Sequence, residues 1–427
     1  MPKLKMLYVM GIILLMGCST IPVLSPTVSP VTTEVIPTHT PIASNSVIDK
    51  CLSIEPNNLD LRSSGNLILS GAANPYNLYK INMENGERTD FSDPNTSSID
   101  VSVSPDRKWA AYEQLSSDEN GNMVDNLIIA DSSGKQQKVI AWEEKWLYLS
   151  RWLDNQRLLV GVETQSATEN TDYEYSTFMV LNPDTNERQL LEPNFPDIYK
   201  PILAPSWTGS GEATYNSTLD RVVYVQGGPS GNGAFHYILW DLKQHLTLAN
   251  FEIVDNTLAI PRWSPDGQSF VFAKNVKTDH LQLQLNWPAY ELLVVGLNGQ
   301  VIQLTNLTSK YPWVIINDYS WSPDGRYVAF WFSWWSQKRP DFESQFESYP
   351  GVVDIENNVV TNYCIPGHFD IRNARWTQPL WSPDGKQLVV EDYYSEDHSR
   401  VILIDLEKQK AVQIGEDMKP EGWMIAP

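Results

Sequence analysis

Beyond residue 65 the chain alternates short runs of aliphatic, aromatic and β-branched residues with polar turns. Clear examples of such runs are 269–273, 327–330 and 387–390. Runs of this length that are bounded by turn residues are typical of strands, and the region lacks the 3.6-residue period of an amphipathic helix. The pattern therefore predicts an all-β fold.

A motif of Trp, Ser, Pro, Asp and Gly precedes each of these three runs and marks a repeat. It stands at 263–267, 321–325 and 381–385, with degenerate copies around Val103, Trp152 and Trp207. Ser bonds locally, Pro presets φ, Asp caps the turn and Gly tolerates its last position. We therefore assign a structural role in repeat turns to Trp263, Asp266, Gly267, Trp321, Asp324, Gly325, Trp381, Asp384 and Gly385. The tryptophans are expected to pack between neighbouring repeats rather than to bind a ligand.

The strand that ends at the aromatic residue and the run after the turn form a hairpin, and two more strands follow in each unit. Four strands per unit predict the blades of a β-propeller. The units resemble the PD40 (TolB-type, WD40-like) propeller repeats, a resemblance that implies the fold and says little about function. Six units begin with the motif, while 66–91 supplies three strands without a first one. We expect the strand near Gly422 to complete that blade and to close a ring of seven, with six blades as the alternative.

The first 46 residues predict an export signal followed by a tether. Lys3 and Lys5 precede a charge-free segment over 6–16, which is too short to span a bilayer and fits a secretory hydrophobic region. Followed by Gly17 and Cys18, it resembles the bacterial lipoprotein signal, which implies a lipid (palmitate) on Cys18. An ordinary signal peptide is the alternative.

The Pro-, Thr- and Ser-rich stretch that follows favours an extended spacer. The expected organisation is a signal at 1–17, a tether at 18–46 and a propeller at 47–427. This places the protein outside the cytoplasm, anchored to a bacterial membrane, at the outer membrane or the cell surface.

Charge narrows the set of partners. The formal net charge is −21, from 31 Lys and Arg against 52 Asp and Glu. An acidic chain repels phosphate backbones and anionic lipid surfaces, so we expect no nucleic-acid partner.

No linear motif for catalysis or metal binding is present in the sequence. The stretch Gly227–Asn232 comes nearest to a nucleophile elbow but lacks its last glycine, and the six histidines are scattered. We therefore predict no catalytic residue, metal or cofactor.

An aromatic-rich insertion over 331–350 is longer than a hairpin requires. It is a candidate platform for a sugar or peptide, with the alternative that it folds over a blade and buries itself. The candidate residues are Trp331, Trp334, Trp335, Phe342, Phe346 and Tyr349.

Cys51 and Cys364 remain once Cys18 is lipidated. An even number of cysteines in an exported protein is normally joined by disulfides. In a closed ring the segment before the first blade can pass the last blade and reach Cys364. The bridge would contribute roughly 4–5 kcal/mol at most. Two separate buried thiols are the alternative.

An anchor, a spacer and a rigid ring without a catalytic motif favour a monomeric binding or scaffold module for a protein or polysaccharide of the cell envelope. A polysaccharide lyase or glycoside hydrolase with residues drawn from several blades is one alternative. A TolB-like component of an envelope complex is another, although TolB carries an α/β domain before its propeller and the tether takes that place here.

Overall fold

The computed structural model describes residues 46–56, 61, 63–71, 77–117, 123–142, 147–164, 175–191, 213–226, 235–253, 260–276, 289–311, 313–335, 346–369, 378–393 and 398–426. Within them the chain forms seven four-stranded antiparallel blades of a β-propeller. The predicted all-β, seven-bladed fold is confirmed, and the six-bladed alternative is wrong. The predicted signal, Cys18 and the tether through residue 45 lie outside the described residues.

Two strands precede the first blade: β1 (Ser46–Asp49) and β2 (Ile54–Glu55). Blade 1 contains β3 (Asn66–Gly71), β4 (Leu78–Asn82) and β5 (Arg88–Asp90), and blade 2 contains β6 (Ser97–Val103), β7 (Trp109–Ser117), β8 (Met123–Asp131) and β9 (Gln136–Trp142). Blade 3 contains β10 (Leu147–Trp152), β11 (Leu158–Thr164), β12 (Tyr175–Asn182) and β13 (Glu187–Leu191). Blades 4 and 5 comprise β14 (Thr214–Tyr215), β15 (Arg221–Gln226), β16 (Phe235–Asp241), β17 (Leu246–Ile253), β18 (Arg262–Trp263), β19 (Ser269–Asn275), β20 (Tyr290–Gly296) and β21 (Val301–Gln303), followed by a 3-10 turn (Leu307–Ser309).

Blades 6 and 7 comprise β22 (Trp313–Trp321), β23 (Tyr327–Trp335), β24 (Phe346–Asp354), β25 (Val359–Asn362), β27 (Leu380–Trp381), β28 (Gln387–Tyr393), β29 (Ser399–Asp405) and β30 (Lys410–Glu416). Between them β26 (Gly367–Phe369) pairs with both β24 and β28 and joins the two blades into one sheet. The last strand, β31 (Met418–Met424), returns to blade 1.

The core lies between the blades. Seven clusters of buried apolar side chains occur in the described residues, and each joins two neighbouring blades. Tyr290 and Leu292 of blade 5, for example, pack with Phe330 and Phe332 of blade 6. Each blade therefore buries both of its faces, which explains why its central strands are apolar at successive positions.

The tryptophans at the first position of the motif, which we call the anchor position of a blade, link the first strands of neighbouring blades. The indole N–H of Trp152 donates to the carbonyl of Ser102 (3.1 Å), and that of Trp263 donates to Thr214 (3.0 Å). Trp321 donates likewise to the carbonyl of Arg262, at 3.0 Å. In each case the acceptor lies immediately before the anchor position of the preceding blade. The tryptophans thus pack between blades, as the repeat predicted.

The turns after the anchors of blades 5, 6 and 7 have the predicted capping pattern. In blade 5 the Ser264 hydroxyl donates to Asp266 (2.6 Å), and the backbone N–H of Gln268 donates to the same carboxylate oxygen (3.0 Å). Gly267 has φ +68°, a left-handed conformation that favours glycine. Corresponding Ser–Asp bonds occur in blades 6 and 7. The Asp residues of the motif therefore cap backbone.

The anchor of blade 4 differs from the prediction, which placed it at Trp207. Tyr215 occupies the anchor position, opposite Val222, and Asn216 takes the place of the motif serine. Asn216 and Leu219 form the turn with a conformation (φ +58° at Leu219) that usually requires glycine, so the motif is unrecognisable in the sequence. Trp207 itself lies outside the described residues.

The predicted ring closure is confirmed by the pairing of β31 with β3, in which Trp423 is opposite Leu67. Arg107 reinforces this seam, since it donates to the carbonyls of Trp381 (2.8 Å) and Trp423 (3.4 Å). Its own carbonyl accepts the N–H of Ile425. Arg107 has φ +60° at a position where the intact motif carries glycine. The side-chain contacts across three blades offset the cost of that conformation.

The segment before blade 1 runs along the outer edges of blades 6 and 7. Strand β1 pairs in parallel with β25, and β2 pairs in parallel with β30. Between these strands Cys51 forms a disulfide with Cys364, with Cα atoms 4.6 Å apart and a sequence separation of 313. We call the segment 46–55 the strap. Among the described residues, no helix is long and apolar enough to cross a membrane.

Deletion of residues 422–427 should open the ring. The change removes the Trp423 strand pairing and its indole bond to the carbonyl of Ser64. We expect a melting temperature lower by about 10 °C or more in a thermal unfolding experiment. Deletion of residues 426 and 427 alone is the control, because it leaves β31 intact. Equal melting of the two truncated chains would contradict closure through this strand.

Removal of the disulfide should release the strap. We expect the Cys51→Ser, Cys364→Ser double variant to lose about 2–5 kcal/mol of unfolding free energy, because the bridge closes a long loop. Hydrogen exchange should accelerate at the amides of Lys50 and Leu52, which bond to the carbonyls of Asn362 and Tyr363. Cys18→Ser serves as control. Unchanged exchange at both amides in the double variant would show that strand pairing alone holds the strap.

Candidate functional site

The predicted aromatic platform lies on the β23–β24 hairpin of blade 6, where its members separate into two environments. Successive strand residues face opposite sides of the sheet. Trp331 therefore faces blade 7, where it is 1% exposed and belongs to the core. Gly367 packs against its ring so closely that a Cβ there would lie 3.1 Å from it. The assignment of Trp331 to a ligand platform was wrong, because the residue is a core side chain.

The other members contribute unequally. Tyr349 lies opposite Phe332 in the sheet and is partly buried, with ring centroids 6.0 Å apart. The side chains of Trp335 and Phe346, and all of Phe342, lie outside the described residues. Among the described members of the platform, Trp334 is the one exposed to solvent, at 37%.

Trp334 is the outer member of a row of three aromatic rings tilted against one another, which we call the stack. The buried ring of Phe332 lies 5.5 Å from that of Tyr311, and Tyr311 lies 5.0 Å from Trp334 with an interplanar angle of 32°. Phe332 is fully buried and Tyr311 nearly so. The stack thus runs from the core between blades 5 and 6 to the surface, where it ends at an indole.

Polar side chains surround Tyr311 beside this stack. Lys310 Nζ donates to Asp49 Oδ2 at 2.7 Å, and Asn362 Nδ2 donates to Asp49 Oδ1 at 3.1 Å. The Tyr311 hydroxyl donates to Asp49 Oδ1 (3.4 Å) and accepts from Asn362 Nδ2 (3.2 Å). We call Asp49, Lys310 and Asn362 the polar edge of the site.

Both charged members of the polar edge are ionised at neutral pH. Burial alone would raise the pKa of Asp49, but Lys310, Asn362 and Tyr311 outweigh it, and the pKa falls below 3.8. Burial alone would lower the pKa of Lys310, whereas its bonds to Asp49 and Tyr311 raise it above 10.5. The polar edge is therefore charge-balanced within a chain of strongly negative net charge.

Two structural features position these groups. The fully buried carboxylate of Glu291 accepts the backbone N–H groups of Leu307 and Thr308, each at 2.8 Å, and the hydroxyls of Thr305 and Thr308. These bonds fix the turn that precedes Lys310 and Tyr311. On the other side, Asp49 belongs to the strap, two residues before the disulfide.

Sequence reasoning found Trp334 and missed its neighbours. Asp49, Lys310, Tyr311 and Asn362 are ordinary residues from the strap, the end of blade 5 and the edge strand β25. No linear motif connects them. The parallel pairing of β1 with β25, which places Asp49 opposite Asn362, brings them together.

Metal binding requires clustered ligands, and acid–base chemistry requires a titratable group that a substrate can reach. Within the described ranges, no cluster of three or more His, Cys, Asp or Glu side chains has a geometry for a metal ion. Glu113 has a strongly perturbed acidity: burial, together with the nearby carboxylate of Asp100, raises its pKa to about 9, although the N–H of Leu149 donates to it. At 2% exposure its carboxyl group does not reach a substrate.

No protein-family model matches the chain, and no curated protein matches it. Similar solved structures include TolB from Acinetobacter baumannii (TM-score 0.39, 13% identity, covering 84% of this chain and 65% of that chain). The periplasmic gluconolactonase of Pseudomonas aeruginosa (0.46, 13%, 86% and 98%) and prolyl oligopeptidase B from Galerina marginata (0.49, 12%, 87% and 51%) are also similar. The chain thus spans less than two thirds of that TolB chain. These similarities carry no information on a ligand or a reaction.

Glu113 should make stability fall as pH rises. Its folded pKa of about 9 exceeds the ordinary value of 4.5, so between these values the folded chain holds a proton that the unfolded chain has released. Glu113→Gln should remove up to about 1.4 kcal/mol per pH unit of that slope. Urea unfolding at pH 6, 7 and 8 measures it.

Glu291→Gln is the matched control for this experiment, because it also replaces a buried glutamate with glutamine and so measures the general cost of that change. An amide nitrogen cannot accept the bonds that the Glu291 carboxylate accepts, so this variant should be less stable than the parent at pH 7. Parallel pH slopes in Glu113→Gln and the parent would contradict a buried, protonated Glu113.

Proposed function

We propose that the protein is an extracytoplasmic binding module, held to a bacterial membrane by lipid on Cys18. It presents Trp334 and the polar edge to a protein or polysaccharide of the cell envelope. The stack of Phe332, Tyr311 and Trp334, open to solvent at one end, is the observation that supports this most strongly.

The position of the site on the ring favours binding. Its residues come from blade 5, blade 6 and the strap, and each is held by sheet pairing or by buried hydrogen bonds. A site fixed in this way loses little conformational entropy when a ligand arrives. An exposed indole backed by a buried ring also offers apolar area without having to reorganise.

The enzymatic alternatives have less support. Hydrolysis or elimination on a polysaccharide requires titratable groups that touch the substrate. Glu113 has the acidity for such a role but is buried, and Asp49 is engaged in the polar edge. A ligand that docks without turnover therefore fits the described residues better.

The proposal predicts that binding to envelope material depends on Trp334. The purified full chain in detergent would be applied to glycan and peptide arrays, and hits would be quantified by calorimetry. We expect Trp334→Ala to weaken binding about tenfold, because it removes the exposed end of the stack.

Leu190→Ala is the control, since Leu190 is a similarly exposed apolar residue on blade 3 (47%). It should bind as the parent does, and thermal melting should show that both variants fold. Failure to bind either array, equal binding by the Trp334→Ala variant, or turnover of an arrayed ligand would each overturn the proposal.

A further inference from the structure

We propose, building on the function proposed above, that the site takes an uncharged pyranose unit of a glycan. The sugar packs against the exposed surface of Trp334 beside Tyr311, and its hydroxyls pair with Asp49 and Lys310. Three features support this ligand: the stack, the chemistry of the polar edge and the charge of the polar edge.

The stack specifies a flat partner. Tyr311 packs against Trp334 with ring centroids 5.0 Å apart and planes tilted by 32°, and Trp334 remains 37% exposed. A group that packs on this exposed indole surface, beside Tyr311, must present a flat face with slightly positive hydrogens toward the negative ring face. The C–H face of a pyranose and the ring of an aromatic side chain both satisfy this requirement.

The polar edge distinguishes these two partners. Asp49 and Lys310 form an ion pair whose side chains are 45% and 34% exposed, so both retain room for a further partner. The ammonium group has three donors and the carboxylate about four acceptor positions. Two hydroxyls on adjacent carbon atoms of a sugar match this arrangement, because one can accept from Lys310 while the other donates to Asp49. A phenyl ring leaves both groups without new bonds, and a tyrosine ring offers one hydroxyl rather than two adjacent ones.

The distances place this chemistry beside the stack. Lys310 Nζ lies 5.2 Å from the centroid of the Tyr311 ring, the ring on which Trp334 stacks. The Tyr311 hydroxyl contacts Asp49 at 3.4 Å. One residue thus bridges the aromatic and polar halves of the site, which suits a ligand that is apolar on its face and polar on its rim.

Charge selects among sugars. Asp49 and Lys310 neutralise one another, whereas the whole chain carries −21. An acidic sugar meets no unpaired cation in the polar edge and is repelled by the rest of the surface, while a neutral sugar experiences neither effect. We therefore expect neutral hexose or N-acetylhexosamine units, bound with little dependence on salt.

The test measures the tryptophan fluorescence of the full chain during titration with methyl glycosides and short oligosaccharides. The series includes neutral sugars and a uronic acid, with tyrosine-containing peptides in parallel. We expect saturable changes with one or more neutral sugars and weaker or absent binding of the uronic acid. Binding should be about tenfold weaker in Trp334→Ala and largely restored in Trp334→Tyr.

Asp49→Asn retains the size of the side chain and tests the polar edge. It should weaken sugar binding by about tenfold while the melting temperature stays near that of the parent. Binding of the variant as tight as that of the parent would remove Asp49 from the site. Stronger binding of the uronic acid than of neutral sugars would overturn the assignment of ligand class.

The outcomes separate this inference from the broader function. Peptide binding that depends on Trp334, without sugar binding, would leave a binding module standing and refute the glycan. Absence of any Trp334-dependent binding to sugars, peptides and the arrays would refute both.

Discussion

The ring depends on a hydrogen bond between the indole of one blade and a backbone carbonyl of the blade before it. The inner edge of each first strand has no strand partner within its own blade, and a buried carbonyl without a donor is costly. A tryptophan at the anchor supplies the donor and, with the same side chain, apolar area for the cluster between the blades. One residue type at one position thus fixes both the spacing and the packing of neighbouring blades.

Arginine takes over at junctions where the indole bond is missing. Blade 4 carries Tyr215 at the anchor, and Arg151 of blade 3 donates to its carbonyl. Val103 is the anchor of blade 2, and Arg107 in the following turn reaches the carbonyls of two other blades. A guanidinium group offers several donors in a fixed plane, so it can satisfy carbonyls that a short side chain would not reach. The repeats with Val103 and Tyr215 at the anchor therefore link their first strands to other blades through a guanidinium group instead of an indole.

Most of the fold could be predicted from the sequence, because repeated tertiary contacts leave a repeated local pattern. The motif at Trp263, Trp321 and Trp381 predicts the turn and the strand after it, and its degenerate copies together with the closing strand near Gly422 predict the number of blades. The anchor of blade 4 could not be found, since Asn216 and Leu219 form the same turn without its residues. The aromatic insertion was only partly interpreted: composition marks an aromatic cluster, but strand alternation decides that Trp331 is buried and Trp334 exposed. The polar edge left no signal, because its residues meet through tertiary pairing alone.

The candidate site and the closure of the ring share the same residues. Asp49 and Asn362 each lie two residues before a cysteine of the disulfide, and the N–H of Cys364 donates to Asn362 Oδ1 at 2.8 Å. The bond that holds the strap on blade 6 therefore also sets the distance between the carboxylate and the amide. Pairing of β1 with β25 alone offers four residue pairs, a short contact at an outer edge. A covalent link directly after it keeps Asp49 on the blade at little further cost in entropy once the ring has formed. Disulfides persist in oxidising compartments, and the location expected for this protein, outside the cytoplasm, is such a compartment. The disulfide that positions Asp49 is therefore stable where the protein is expected to act.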